Sequence, residues 1–360
     1  MRICHVSDAH RSLDDRIYLK ECQSLAAAGY ETYYVVRGKT EERGGVHIIG
    51  CGQPAGRLDR MIHFSKRIYQ EAMALDCDIY HLHDPELLPY ALKLKRKGKK
   101  VIFDSHEDVP AQILDKPWLP KPLRRIVSRL YKRYETHVVK KLDAVVAATP
   151  HIGQKFAGRA KKVVVVNNYP KLDDIVFQEV PFKDRDRIVC YAGGLDEKRG
   201  EGAMKAAMKG IDGLLILAGN AAHVPESERI SQNIRYTGIL PRSEVNELYG
   251  NSRAGLVLLL PTASYVKSLP VKMFEYMAAG LPVIASDFPL WQEIIMESGC
   301  GICVNPKDAQ AVKDAIEHLL DHPQEGQEMG RRGREAVVSR YHWKGEGEKL
   351  VQLMKEISGI

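Results

Sequence analysis

The chain has 360 residues, 44% of them hydrophobic, and a formal net charge of +7, enough for roughly two domains with packed cores of their own. No apolar run approaches the ~20 residues needed to span a bilayer, and MRICHVSDAH puts charge and a polar turn where a signal peptide would carry its apolar stretch, so a cytoplasmic protein is expected. Seven cysteines, an odd number without an export signal, read as reduced thiols rather than a disulfide framework.

In chain order, RICHVSD, ETYYVVR, VHIIG, DIYHLHD, KVIFDSH, AVVAATP and VVVVNN are short, β-branched runs, with amphipathic segments such as RIYLKECQSLAAAGY between most of them. This is the βαβ rhythm of a parallel sheet covered on both faces. The loop after the first run holds His10, Arg11, Asp14, Asp15 and Arg16, a dense set of donors and acceptors suited to the hydroxyls or phosphate of an acceptor. At least one of Asp14 and Asp15 is expected instead to cap the helix that starts near Ile17. DCD (Asp76 to Asp78) has the look of a metal-binding DxD, but it precedes its strand at the end away from ligands and reads as a turn. In the strand that follows, His81 and His83 point the same way, with Asp84 next. His83 and Asp84 are expected to contact sugar or acceptor, and no metal site is expected. From Ala91 to Lys141 there are 15 Lys or Arg against five Asp or Glu. Such runs form a solvated face or hold a domain against anionic lipid headgroups. Nucleic acid is not an expected partner, because aromatics do not recur at stacking intervals beside the basic residues.

The polar stretch FQEVPFKDRDR places a boundary near residues 170 to 186, after which IVCYAGG, GLLILAG, NIRYTG, AGLVLLL and PVIASD restart the rhythm. The expected fold is α/β, two Rossmann-like doubly wound parallel-sheet domains facing across a cleft. Residues 1–170 form the first domain and 171–343 the second, with the last segment, 344–360, able to pack back on the first. Ligands in such sheets bind at the C-terminal ends of the strands. Neither the GxGxxG turn of a dinucleotide site nor a P-loop is present. The glycines cluster instead at strand ends of the second half: Gly193 and Gly194 in YAGGLDEKRG, Gly219 beside Asn220 in LAGN, and Gly238 in YTG. Small residues there let a phosphate approach backbone N–H groups and a helix N-terminus; plain turn chemistry is the competing account. Cys300 and Cys303 have CxxC spacing without a second pair or a nearby His, and read as a buried strand end.

In SLPVKMFEYMAAGLPVIASD, Pro270 opens a short helix, Gly280 ends it and Pro282 prevents its continuation. Its N-terminus, near Leu269 and Pro270, offers free N–H groups to phosphate oxygens, and Lys272 adds a full charge in the first turn. Glu275, one turn further, would be repelled by a diphosphate and suits ribose hydroxyls; a surface role is the alternative, although Phe274, Tyr276 and Met277 leave it little open face.

FEYMAAGLPVIASD followed by CGICVNPKDAQAVKDAIEHLL, and YAGGLDEKRG before them, make the chain resemble the GT4 family of nucleotide-sugar-dependent glycosyltransferases, which have the GT-B fold. The resemblance covers nearly the whole length. DDRIYLKECQSLAAAGYE, YHLHDPELLP and FDSHEDVP look like a bacterial subgroup of cell-surface polysaccharide synthesis. The resemblance implies a hexosyltransferase that retains anomeric configuration and needs neither metal nor cofactor, its nucleoside-diphosphate-sugar being a co-substrate held mainly by the second domain. The acceptor would be a saccharide or a polyprenyl-diphosphate-linked saccharide, reached from the inner membrane surface. Glu275 matches the family's ribose-contacting glutamate, Arg199 its phosphate-contacting lysine and His106 a histidine lining the sugar site. With Lys272 these are the expected catalytic residues. Lys267, Ser268, Leu269 and Pro270 join the strand-end glycines and Asn220 as donor contacts. Two positions depart from the pattern: Gly194 stands where an arginine is common, and Lys267 where another glutamate is usual. Lys272 or Lys267 is expected to replace the lost phosphate contact. A nucleotide-sugar 2-epimerase of the same fold and a non-catalytic sugar-nucleotide binder are the alternatives.

Overall fold

A computed structural model describes residues 1–116 and 118–359. The chain divides into two compact units, Met1–Asn168 with Trp343–Ile360, and Tyr169–His342. Ile360, the last residue of the expected 344–360 segment, lies outside the described residues.

Among the described residues the first unit holds eight strands: β1 Arg2–Val6, β2 Glu31–Val36, β3 Glu41–Arg43, β4 Val46–Gly50, β5 Ile79–Leu82, β6 Lys100–Ser105, β7 Ala144–Ala147 and β8 Val163–Val165. They lie in the order β3-β4-β2-β1-β5-β6-β7-β8. β5 and β7 are buried at every position, as strands covered on both faces are, although β5 carries His81. Charged β3, which shows no apolar alternation, pairs antiparallel with β4 through a two-residue turn in which Gly44 and Gly45 both have positive φ, 59° and 74°. That turn, not side-chain burial, makes the strand. After β1, the Asp14 carboxylate accepts from the backbone N–H of Arg16 and Ile17, each at 2.9 Å. It caps a segment that winds as a π-helix over Ile17–Cys22 before continuing as an α-helix over Gln23–Ala27. The helix Trp343–Ser358 buries one face at Trp343, Glu346, Gly347, Leu350, Leu353 and Met354. Leu350 and Met354 pack with Ile3, Ile79 and Ile102 of the sheet, and the Glu346 carboxylate accepts from Asn167 N–H at 2.8 Å.

The second unit holds β9 Ile188–Ala192, β10 Leu214–Ala218, β11 Ile234–Gly238, β12 Ala254–Val257, β13 Val283–Ser286 and β14 Gly301–Val304. All six are parallel, in the order β11-β10-β9-β12-β13-β14. The short punctuated helix spans Val271–Ala278 and stops before Gly280. There the φ of +70°, and the Phe177 ring that would stand 2.5 Å from any Cβ, leave room for no other residue. The helix's apolar face, Met273, Phe274, Tyr276 and Met277, is fully buried, and the Tyr276 hydroxyl accepts from Ala192 N–H at 3.1 Å, tying the helix to the end of β9.

Both sheets reverse direction at their centre, between β1 and β5 in the first unit and between β9 and β12 in the second. The loops leaving those strand pairs open the crevice where doubly wound sheets hold ligands. All seven cysteines are free, and DCD forms a turn in which Asp76 has φ 47°.

Candidate functional site

In the second unit the loop after β9 and the helix after β12 meet at the reversal point. A Cβ on Gly193 (φ +143°) would stand 2.5 Å from Lys272 Nζ, and one on Gly194 would collide with the Arg199 guanidinium. The two glycines are therefore the floor on which two cationic side chains converge. This gives the first departure from the GT4 pattern a physical sense: the space a side chain at 194 would fill is taken by Arg199 reaching back from a 3-10 turn capped by Asp196. Arg199 remains 41% exposed on its side chain and only loosely paired, with Asp196 at 3.5 Å.

The expected full charge on Lys272 requires correction. Its ammonium lies 3.5 Å from the centre of the Tyr191 ring, and burial first, then the neighbouring Arg199, lowers its pKa from 10.5 to about 7. Two cations with no anion between them repel, and the ammonium gives up its proton more readily for it. Glu275 is only 16% exposed and is gripped by Arg242 Nη2 at 2.6 Å and by the Tyr249 hydroxyl at 3.2 Å. A carboxylate with four lone-pair directions keeps room for hydroxyl donors beyond these two. Pro270 precedes the helix without a side-chain cap, so the first-turn N–H groups of Val271 and Lys272 stay available. Ser268 is fixed by its carbonyl, which accepts from Trp291 Nε1 at 2.7 Å, and Leu269 is half-buried beside it, whereas Lys267 points to solvent. Gly219 ends β10 so close to Gly193 that a side chain would strike the Gly193 carbonyl; Asn220 is exposed and its side chain accepts from Ala222 N–H. Gly238, at the end of β11, faces open space.

In the first unit a cavity of about 600 Å³ opens at the reversal point. Its lining combines His10, His83, Asp84 and His106 with the apolar Met61, Trp118 and Tyr131 and the charged Arg57, Arg60 and Lys116; the Arg57 guanidinium lies 5.5 Å from the centre of the Trp118 ring. The His106 and His10 rings lie 5.1 Å apart, and His106 Nε2 is 3.2 Å from His83 Nδ1 and 3.5 Å from Asp104. Asp84 commits one carboxylate oxygen to Ser7 Oγ, Asp8 N–H and Ala9 N–H, so it shapes the loop and offers only its second oxygen to a ligand. Of the five candidates on that loop, His10 alone lines the cavity among the described residues. Arg11 and Asp15 are exposed, Asp14 is the helix cap, and Arg16 is misassigned as an acceptor contact.

Arg16 is 5% exposed and lies in the core of the unit. Its Nη2 is 3.1 Å from both Asp104 oxygens, its Nη1 donates to the Val166 carbonyl, and its Nε stands 3.0 Å from Glu21. Burial pushes the Asp104 carboxyl up, but the Arg16 guanidinium and His106 overrule it and hold it well below the usual range. Glu21 goes the other way, raised by burial and by Asp104. Burial keeps His5 and His83 well below their ordinary value and His81 at about 4, all three neutral. Sequence reasoning misses Glu21, Asp104, Arg242 and Tyr191. The first two lie far apart in the chain and become neighbours only through strand order; Arg242 has a local signal, the proline-opened helix Arg242–Asn251 after β11.

Along the helix Lys121–Val139, Leu123, Ile126, Leu130 and Tyr134 are 37% to 58% exposed. Their spacing puts them on one face, beside exposed Arg125, Arg129, Lys132 and Arg133. No helix among the described residues is long and apolar enough to cross a membrane.

Residues 17–169 match the family model for Glycosyltransferase Family 4, and residues 173–336 match that for Glycosyl transferases group 1. With one model on each unit, the chain belongs to the GT4-type glycosyltransferases and has the GT-B fold of two Rossmann-like units. Over 257 residues it is 23% identical to the alpha-D-kanosaminyltransferase of Streptomyces kanamyceticus, covering 65% of each chain. It is 23% identical over 192 residues to a GDP-mannose-dependent monoacylated alpha-(1-6)-phosphatidylinositol monomannoside mannosyltransferase of Corynebacterium glutamicum, covering 49% of each. The chain thus spans less than two thirds of the length of either relative. In structure it is similar to the sucrose-phosphate synthase of Thermosynechococcus elongatus, with a TM-score of 0.79 at 18% identity, over 100% of this chain and 99% of the other.

Proposed function

We propose that the protein transfers a hexose, with retention of anomeric configuration, from a nucleoside-diphosphate-sugar to a lipid-linked saccharide in cell-surface glycan synthesis. The observation that carries this reading is the convergence of Arg199 and Lys272 on Gly193 and Gly194, with Glu275 one helical turn beyond. Two cations and an uncapped helix start suit a diphosphate, and a carboxylate set back from them suits ribose hydroxyls. As the bond between the anomeric carbon and the phosphate oxygen breaks, Arg199, Lys272 and the Val271–Ala278 N-terminus stabilise the charge gathering on the leaving diphosphate. Preorganised donors of this kind are worth ~2.7 to 4 kcal/mol each, so the departure itself calls for no divalent ion. The acceptor oxygen attacks from the same face, and its proton passes to the leaving phosphate. His106 orients the sugar or the acceptor hydroxyl and is not the base.

The acceptor class rests on the first unit's cavity, whose histidines suit hydroxyls and whose Arg57, Arg60 and Lys116, beside Met61 and Trp118, suit the phosphate and first carbons of a lipid carrier. The exposed apolar stripe of Lys121–Val139 with its arginines suits the surface of an anionic bilayer. The Corynebacterium relative, named for a GDP-mannose donor and a phosphatidylinositol mannoside acceptor, points the same way.

The test is to incubate the purified chain with UDP- and GDP-hexoses, with and without lipid extract, and to follow product by mass spectrometry and anomeric NMR. A new α-linked glycolipid that forms only with extract supports the reading. Epimerised donor in the absence of any acceptor, or hydrolysis and no transfer under every condition, contradicts it.

A further inference from the structure

His5 in β1 and His81 in β5 are direct partners in the parallel register, and His83 follows His81 on the same face. Above that face the π-helix Ile17–Cys22 lowers Glu21 onto the three rings. Glu21 Oε2 lies 3.8 Å from His5 Nδ1, 4.0 Å from His81 Nδ1 and 3.9 Å from His83 Nε2. One ligand atom from each of the four residues falls within 4.8 Å of every other. The four side chains have no solvent exposure at all.

This is a costly arrangement of buried polar groups. Glu21 Oε2, both His81 nitrogens and His5 Nε2 lack a hydrogen-bond partner among the described residues, although buried polar groups are nearly always satisfied. We propose that His5, Glu21, His81 and His83 form a closed binding site for a divalent transition-metal ion of the zinc class, inside the first unit.

Three imidazoles and one carboxylate are the donor set of that class, with bonds of roughly 2.0 to 2.2 Å to nitrogen and oxygen. Tetrahedral ligands at such bond lengths stand about 3.3 Å apart, so the Glu21 contacts close by little more than half an ångström around an ion. The His5–His83 contact, 2.9 Å and hydrogen-bonded, opens to admit it. Outer support is already present: Asp104 Oδ2 stands 3.6 Å from His81 Nε2 and 3.6 Å from His83 Nδ1, the ring edges turned away from Glu21. A carboxylate behind each ligating imidazole fixes its tautomer and orientation, and Arg16 fixes that carboxylate. The histidine pair of HLH finds its further ligands in His5 and Glu21. With four protein ligands and no exposed edge, the ion is structural. It holds His83, which lines the cavity and contacts His106, and so positions the histidines of the cavity. The inference does not depend on the glycosyltransferase reading.

The experiment uses the full chain purified without a polyhistidine tag, loaded separately with zinc and cobalt and freed of excess metal. Bound metal is measured by inorganic mass spectrometry and the cobalt form by visible absorption. The expected result is about one ion per chain with the intense bands of tetrahedral cobalt, and loss of most of it in Glu21→Gln and His81→Gln. The exposed His63→Gln retains it. Should a variant fail to fold, the wild-type stoichiometry, the cobalt spectrum and a fall in melting temperature on chelation carry the test. A wild-type chain that holds no stoichiometric zinc or cobalt overturns the proposal. So does metal held equally by wild type and both folded variants, or an octahedral cobalt spectrum.

Discussion

The two units solve one topological problem with opposite chemistry. Each sheet reverses at its centre, and each places candidate residues on the segments leaving the two strands at that point, joined by His106 after β6 and Gly219 after β10. In the second unit the loop after β9 is glycine-floored, and the groups that converge on it are cations, a partly exposed Arg199 and a largely buried Lys272. In the first, the loops cover a buried set of histidines, two carboxylates and one arginine, and His10, His83, Asp84, Asp104 and His106 line the cavity above. The backbone position fixes where a ligand can go, and the side chains decide whether an anion or a set of hydroxyls is welcome there.

The comparison is broken most severely at Arg16. Replacing it by alanine leaves Asp104 and Glu21 buried without their cation, a loss typically of about 3 to 5 kcal/mol. The first unit should melt roughly 6 to 20 °C lower in calorimetry, whereas the equally charged Arg199→Ala, being 41% exposed, should leave the melting temperature within a few degrees. A small change for Arg16→Ala would mean that the buried network is not what holds these strands.

In the second unit the cost should appear in rate. Arg199→Ala and Lys272→Met should each lower kcat about 100- to 1,000-fold in steady-state transfer assays, with a much smaller effect on unfolding. Glu275→Gln should act on binding, weakening nucleoside diphosphate by about 10- to 100-fold in titration calorimetry, the worth of a charged hydrogen bond.

Lys272 also supplies a pH signature. With its pKa lowered from 10.5 to about 7, the folded protein disfavours the ammonium: the penalty to stability is absent above about 10.5 and complete below about 7. A bound diphosphate reverses that preference and draws a proton in. Affinity for nucleoside diphosphate should therefore fall as pH rises from about 7 to 9, by up to about tenfold per unit, with proton uptake visible when calorimetry is repeated in buffers of different ionisation enthalpy. Lys272→Met should flatten the profile.

The smallest effect belongs to the surface of the first unit. Replacing Arg125 and Arg129 by serine should weaken binding to anionic vesicles at low salt about fivefold per charge, and leave activity on a short soluble acceptor unchanged. Equal vesicle binding by both forms would remove the membrane role of Lys121–Val139.

The same contrast governs what the sequence discloses. The second unit's candidates lie within short, punctuated stretches, where glycine and proline mark the turn and the helix start, so Gly193, Gly194, Lys272 and Glu275 can be placed without a structure. What escapes is environment: that Arg199 fills the gap above Gly194, that burial and the neighbouring Arg199 lower the pKa of Lys272, and that Arg242 holds Glu275. In the first unit the important neighbours are 16 to 88 positions apart, as His5 is from Glu21 and Arg16 from Asp104, and only the strand order brings them together. The strand Glu41–Arg43 escapes for another reason, being made by its Gly44-Gly45 turn and not by any apolar pattern.

The most direct test of the donor site is a thermal-shift panel of UDP, GDP, dTDP, CMP, ADP and NAD on wild type and Glu275→Ala. At 100 times its dissociation constant a ligand stabilises by ~2.7 kcal/mol, or roughly 5 to 10 °C in a unit of this size. One nucleoside diphosphate should give that shift in the wild type and little of it in the variant. No shift with any nucleotide, or an undiminished shift in Glu275→Ala, would contradict a donor site built on the Val271–Ala278 helix.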